Sequence, residues 1–198
     1  MRFRLRVVAA VATAVTCVTL SVTATAAPAS ATPTGMVLGN YMPEGGTSST
    51  AMCVTGGSTV GSLATAQVCT GSPGQQWFWR QTSGDYGQLV NSYGVCLGVK
   101  GGNPVVGQNL VVYTCYGINH PDQFWMPDAQ YACAHNSLVT FYPFVNDLSG
   151  MVMGVQGGNM KQGQPLVEWA FQFTCNNQDW GNPDLTWPGS LPRITIPG

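Results

Sequence analysis

Charge is what this chain has least of. Asp, Glu, Lys and Arg make up 8% of 198 residues, and His occurs only twice. No basic run or stripe is present, which excludes the counterion-releasing face that a nucleic-acid partner requires. No Cys-x-x-Cys or His-x-x-x-His occurs, so neither a redox dithiol nor a zinc site is indicated, and no cofactor or metal is called for. The eight carboxylates are scattered, and none sits in a motif. Glycoside hydrolysis needs two of them about 5–9.5 Å apart across the scissile bond, so the chain reads as non-catalytic. His120 and His135 are isolated, and His120, before Pro121, reads as a turn residue. No segment keeps a helical apolar period over three turns.

A long apolar run is also missing, apart from one at the N-terminus. Arg2, Arg4 and Arg6 precede an apolar stretch from Val7 to Leu20, followed by Ala24-Thr25-Ala26 and Ala29-Ser30-Ala31. This reads as a secretory signal peptide over 1–31, with a short linker over 32–35, and not as a membrane span. Export to an oxidising, extracellular space is therefore expected. Without those three arginines, Arg80, Lys100, Lys161 and Arg193 face eight carboxylates, a net charge of −4. Cys17 leaves with the signal. The other six cysteines read as three disulfides, for which fifteen pairings exist.

Glycine and proline are abundant, at 25 and 13 residues, and so are tight-turn signals. Against that background one tripeptide recurs: Gln75-Gln76-Trp77, Gln123-Phe124-Trp125 and Gln178-Asp179-Trp180. With 13 Gln and 6 Trp, fewer than one such triplet is expected by chance. Gly98-Val99-Lys100-Gly101-Gly102-Asn103 likewise returns as Gly154-Val155-Gln156-Gly157-Gly158-Asn159. A period near 50 residues is architecture: one unit used three times, over about 36–82, 87–128 and 144–182.

Aligning the units on Gly61, Gly107 and Gly163 brings Gln67, Tyr113 and Trp169 to one position and Cys69, Cys115 and Phe171 to another. Upstream, Cys53, Cys96 and Val152 coincide. The matched positions pair Cys53 with Cys69 and Cys96 with Cys115, and in the third unit Val152 and Phe171 replace the bridge. Cys133 and Cys175 remain and are assigned to each other. Chain entropy gives about 3 kcal/mol for each short loop and about 4 for the longer one.

Strand signals follow the same grid at Leu89-Val90-Asn91, Leu110 to Tyr113, Leu138 to Tyr142 and Leu166 to Trp169. The chain reads as all-β. Three units of about four short strands cannot bury their faces separately, so closure into a shared threefold barrel with a hairpin cap is expected. Trp77, Trp125 and Trp180 then fill the core, and Gln75, Gln123 and Gln178 satisfy turn backbone.

A threefold unit with Cys-Leu-x-Val, a late aromatic-x-Cys and a terminal Gln-x-Trp resembles the ricin B-chain-like lectins, β-trefoil carbohydrate-binding modules. The resemblance covers Met36 to Pro188, leaving a tail over 189–198, and is strongest from Val95 to Trp125. It implies a shallow sugar pocket on each unit. An aromatic two residues before the second Cys stacks on the sugar, an Asp two residues after the first Cys orients the hydroxyls, and a polar residue precedes Gln-x-Trp. The aromatic position holds Gln67, Tyr113 and Trp169; the Asp position holds Thr55, Gly98 and Gly154; the last position holds Gly74, Asp122 and Asn177. The first unit lacks all three elements. The second keeps Tyr113 and Asp122 and the third Trp169 and Asn177, with Asn103 and Asn159 as candidate replacements for the absent carboxylate. Packing on a hairpin surface stays open as the alternative for Tyr113 and Trp169. Glu168, beside Trp169 in an alternating strand, should face the other way.

The leading expectation is a secreted, monomeric, lectin-like module that binds a glycan or polysaccharide through the second and third units. The alternative is an extracellular protein-interaction or inhibitor module that has lost sugar binding, with Tyr41-Met42-Pro43 or Leu138 to Phe144 as the surface. For Phe141, Tyr142 and Phe144, core packing is the default.

Overall fold

Each unit is organised around a glycine that turns the chain back on itself. Gly61, Gly107 and Gly163 have φ values of 87°, 83° and 84°, a left-handed conformation that side chains disfavour. The computed structural model describes residues 36–40, 51–128, 130, 133–135, 139–158, 160–172 and 178–180. Among them, β1 (Met36–Val37) and β2 (Gly39–Asn40) flank Leu38. The first unit continues with β3 (Met52–Thr55), β4 (Thr65–Val68), β5 (Gln76–Ser83) and β6 (Tyr86–Asn91). The second contains β7 (Val95–Val99), β8 (Leu110–Thr114) and β9 (Trp125–Pro127), followed by β10 (Cys133–His135). The third contains β11 (Val139–Asn146), β12 (Val152–Val155), β13 (Gln164–Trp169) and β14 (Asp179–Trp180).

The three hairpins share one register. Cys53 lies opposite Gln67 in β3–β4, Cys96 opposite Tyr113 in β7–β8, and Val152 opposite Trp169 in β12–β13. The turn glycines link them in a cycle. Gly61 N–H donates to the Val112 carbonyl at 2.7 Å, Gly107 N–H to Glu168 at 2.8 Å, and Gly163 N–H to Ala66 at 2.8 Å. Each unit thus holds the next, and the third holds the first. The strand path β1-β5-β6-β9-β11-β12-β13-β4-β3-β2 begins and ends on segments separated only by Leu38, while β7 and β8 branch from β6, and β10 and β14 pair with β11.

The repeated tripeptide does the same work three times. Trp77, Trp125 and Trp180 are fully buried, and their indole N–H groups donate to Val54, Leu97 and Met153 carbonyls at 2.9, 3.0 and 3.1 Å. Those acceptors each follow the matched Cys53, Cys96 or Val152. The preceding glutamines are just as regular. Gln75, Gln123 and Gln178 donate from Nε2 to Val68, Thr114 and Ala170 carbonyls, and accept at Oε1 from the amides of Thr70, Tyr116 and Gln172. An unmade bond here would leave a buried backbone group unpaired, at about 1–3 kcal/mol. Leu89, Leu97, Leu110, Phe144, Met153 and Leu166 complete the core around the indoles.

Cys53–Cys69 and Cys96–Cys115 are formed, each with Cα atoms 5.0 Å apart. The expected Cys133–Cys175 bridge lies outside the described residues. Phe141, Tyr142 and Phe144 are buried, so that cluster packs the interior, and Tyr41-Met42-Pro43 lies outside the described residues. His120 N–H closes a turn onto the Gly117 carbonyl at 3.0 Å. No described helix is long and apolar enough to cross a membrane.

Candidate functional site

Strand pleating divides each second hairpin strand between core and surface. In β13, Glu168 is fully buried and Trp169 half-buried, on opposite faces as the alternation requires. The three units then treat the matched surface position differently.

In the first unit the position is filled by polar and backbone groups. Thr55 Oγ1, at the position where the resemblance implies a carboxylate, accepts from Gln75 Nε2 at 3.0 Å. Gln67 Nε2 bonds to Thr65 Oγ1 at 3.1 Å. Gly74 packs so closely on Gly56 that a Cβ there would stand 2.4 Å from the Gly56 carbonyl oxygen. The position matched to Tyr113 and Trp169 holds a glutamine and offers no aromatic platform.

In the second unit the half-buried Tyr113 lies over Gly98, where an added Cβ would be 3.1 Å from Tyr113 Cδ2 and 3.0 Å from Gln123 Cγ. The phenol oxygen accepts from Gly101 N–H at 2.7 Å. The ring thus occupies the space the missing carboxylate would need, which accounts for glycine at 98. Asp122 is buried close to Gly102, and desolvation raises its pKa, against its own backbone amide and the nearby His120, which lower it. His120 Nδ1 lies 3.8 Å from its carboxylate, and the exposed His120 ring stacks on Tyr116 with centroids 4.5 Å apart. Asn103 is exposed at the end of the Lys100–Gly102 turn. Gly98→Ala is expected to cost about 1–3 kcal/mol in urea denaturation, because the hydrogen-bonded Gln123 and Tyr113 cannot move aside. Tyr113→Ala in the same chain should recover part of it.

The third unit is open. Trp169 borders a cleft of about 230 Å³ lined with Val155, Gly157, Gly158 and Gln172. Gly157 and Gly158 have φ of 70° and 71°, a turn that exposes backbone where a side chain would otherwise intrude. Gln172 is held by its amide to Gln178 Oε1 at 2.9 Å, so the repeated glutamine also positions the cleft wall. Asn159 and Asn177 lie outside the described residues. The structure therefore brings Trp169 to a cleft, lays Tyr113 over Gly98, buries Asp122 beside Gly102, and leaves Asn103 exposed. Sequence reasoning did not name Val155, Gly157, Gly158 or Gln172 as lining. The doubled glycine in both Gly-Gly-Asn turns was the available signal.

Glu168 is the most unusual group near the site. Its Oε1 accepts from Ser149 Oγ, while Oε2 has no hydrogen-bond partner among the described residues. Burial pushes its pKa up to about 7; the Ser149 hydrogen bond opposes this and the Asp122 charge adds to it. No group of three or more metal-ligating side chains occurs among the described residues.

No family model matches the chain, and no curated protein matches it. Solved structures do. A designed threefold-symmetric protein, ThreeFoil, is 20% identical with a TM-score of 0.58, over 68% of this chain and 91% of that one. An agglutinin from Rhizoctonia solani is 20% identical with a TM-score of 0.56, over 79% of this chain and 99% of its own. An exo-β-1,3-galactanase from Clostridium thermocellum is 21% identical with a TM-score of 0.59, over 76% of this chain, which spans only 30% of that enzyme. At these identities the likeness is one of fold. The chain is mostly β and shares a trefoil-like fold with these structures.

Proposed function

We propose that this chain is a secreted, non-catalytic carbohydrate-binding module whose working site is the Trp169 cleft of the third unit. The observation that carries the reading is the half-buried indole beside an open cleft whose other walls are glycine backbone, Val155 and Gln172. A sugar ring has an apolar C–H face suited to an aromatic platform, and its hydroxyls need a few aimed polar groups. Gln172 supplies one, and Asn159 and Asn177 are the adjacent candidates in sequence. The first unit is structural, and the second is a degenerate pocket filled by its own tyrosine. The agglutinin among the structural neighbours supports this reading by fold.

The cyclic hydrogen bonds and the meeting of the strand path at Leu38 support a closed barrel, and the even cysteine count supports a third bridge, Cys133–Cys175. The N-terminal segment supports export. A glycan array, followed by titration of wild type and Trp169→Ala, tests the site. Binding should fall at least tenfold in the variant while the unfolding midpoint holds. If no glycan binds at millimolar concentration, the lectin reading fails. The exposed Tyr116 and Ile118, 45% and 70% accessible, would then favour a protein partner instead.

A further inference from the structure

The first two units carry the same bridge in the same setting, so a difference between the two is informative. Cys53 and Cys96 are fully buried on the first strand of their hairpins, and Cys69 and Cys115 are half-buried just after the second. Both pairs have Cα atoms 5.0 Å apart.

The difference is a cation. Arg80, on β5, brings Nη2 to 3.9 Å from Cys96 Sγ. Nη2 also donates to Gln88 Oε1 on the facing strand β6, and Gln88 is neutral. Arg80 Nε is buried with no hydrogen-bond partner, and no carboxylate forms an ion pair with the guanidinium among the described residues. Desolvation lowers its pKa, yet an arginine keeps its charge in a protein. A charge taken out of water with no opposite charge beside it is costly, so the site favours an anion that can form there. Among the described residues, no cationic side chain donates to the sulfurs of Cys53 or Cys69.

We propose that Cys96–Cys115 is a thiol-exchange site, opened by an external dithiol that attacks Cys115 and expels Cys96. A thiolate of the reductant bonds to Cys115 Sγ, the bond between the two cysteines breaks, and its electron pair leaves on Cys96 as a thiolate facing Arg80. The second thiol of the reductant gives up its proton, attacks the sulfur of its own chain, and releases Cys115, which takes up a proton. The dithiol is oxidised to a disulfide by two electrons, and the bridge is reduced by the same two. A stabilised leaving thiolate speeds the first step. Opening the bridge removes the covalent tie between β7 and the exposed segment that begins at Tyr116. This chemistry is independent of sugar binding.

The test is limited reduction of the native protein with dithiothreitol at neutral pH, quenched with an alkylating reagent and mapped by peptide mass. Cys96 and Cys115 should be labelled about fivefold faster than Cys53 and Cys69. A monothiol, glutathione, should be found joined to Cys115 and not to Cys96. Arg80→Gln should bring the ratio of the two rates close to one, and because Cys53–Cys69 is measured in the same molecules, a general loosening of the fold would raise both rates and leave the ratio unchanged. Equal rates in the wild type, glutathione on Cys96, or a ratio that survives Arg80→Gln overturns the proposal.

Discussion

Trp125→Ala should destabilise the protein by about 3–5 kcal/mol, enough to bring a domain of ordinary stability close to unfolding at 37 °C. The indole is fully buried in the shared core, so its removal leaves a cavity there. It also orphans the Leu97 carbonyl, which accepts the indole N–H at 3.0 Å. Trp125→Phe separates the two effects: most of the ring volume returns but the donor does not. About 1–3 kcal/mol of the loss should then remain. Urea unfolding followed by circular dichroism checks both values. If Trp125→Ala unfolds with the wild-type midpoint, the indole does not hold the units together.

The second large effect concerns Glu168 and pH. Its carboxyl has a pKa near 7 in the folded protein and near 4.5 when unfolded, so between those values the folded state holds a proton that the unfolded state has released. Stability is therefore greatest below pH 4.5, falls as pH rises toward 7 and levels off above it. Asp122, the nearby acid, is shifted in the same direction and adds to the slope. Glu168→Gln keeps the shape and the neutral state. It should raise stability at pH 8 by about 2–3 kcal/mol, change it little at pH 4.5, and flatten the profile between them. Thermal melts across that range decide it; an unchanged slope in the variant would place the titration elsewhere.

The repeat was legible because it rests on residues with few alternatives. A buried Trp whose N–H needs an acceptor, a Gln able to donate and accept at once, and a glycine at positive φ each recur only if their surroundings recur. The hairpin register followed from the same positions, so Cys53–Cys69 and Cys96–Cys115 could be paired without coordinates. Polar residues inside strands were harder. Asn91 and Asn146 are buried and hold backbone carbonyls at Gly56 and Gly57, and at Asp122 and Phe124, yet each looks in sequence like the polar end of a strand. Gln88 is fully buried and reaches the Tyr116 carbonyl at 2.7 Å, a contact 28 residues away that no local pattern marks. The site was half legible. The aromatic positions were named, but whether an aromatic lines a cleft or fills one depends on what lies beneath it. Tyr113 has a hydroxyl that reaches Gly101 and so lies down over Gly98, whereas the Trp169 indole borders a cleft.

That difference in burial gives the protein an optical asymmetry. Of the five described tryptophans, Trp77, Trp79, Trp125 and Trp180 are sealed from water and only Trp169 is partly wet. Among these five, a dissolved quencher would dim Trp169 and spare the other four, and any molecule settling into the cleft would shield the same chromophore.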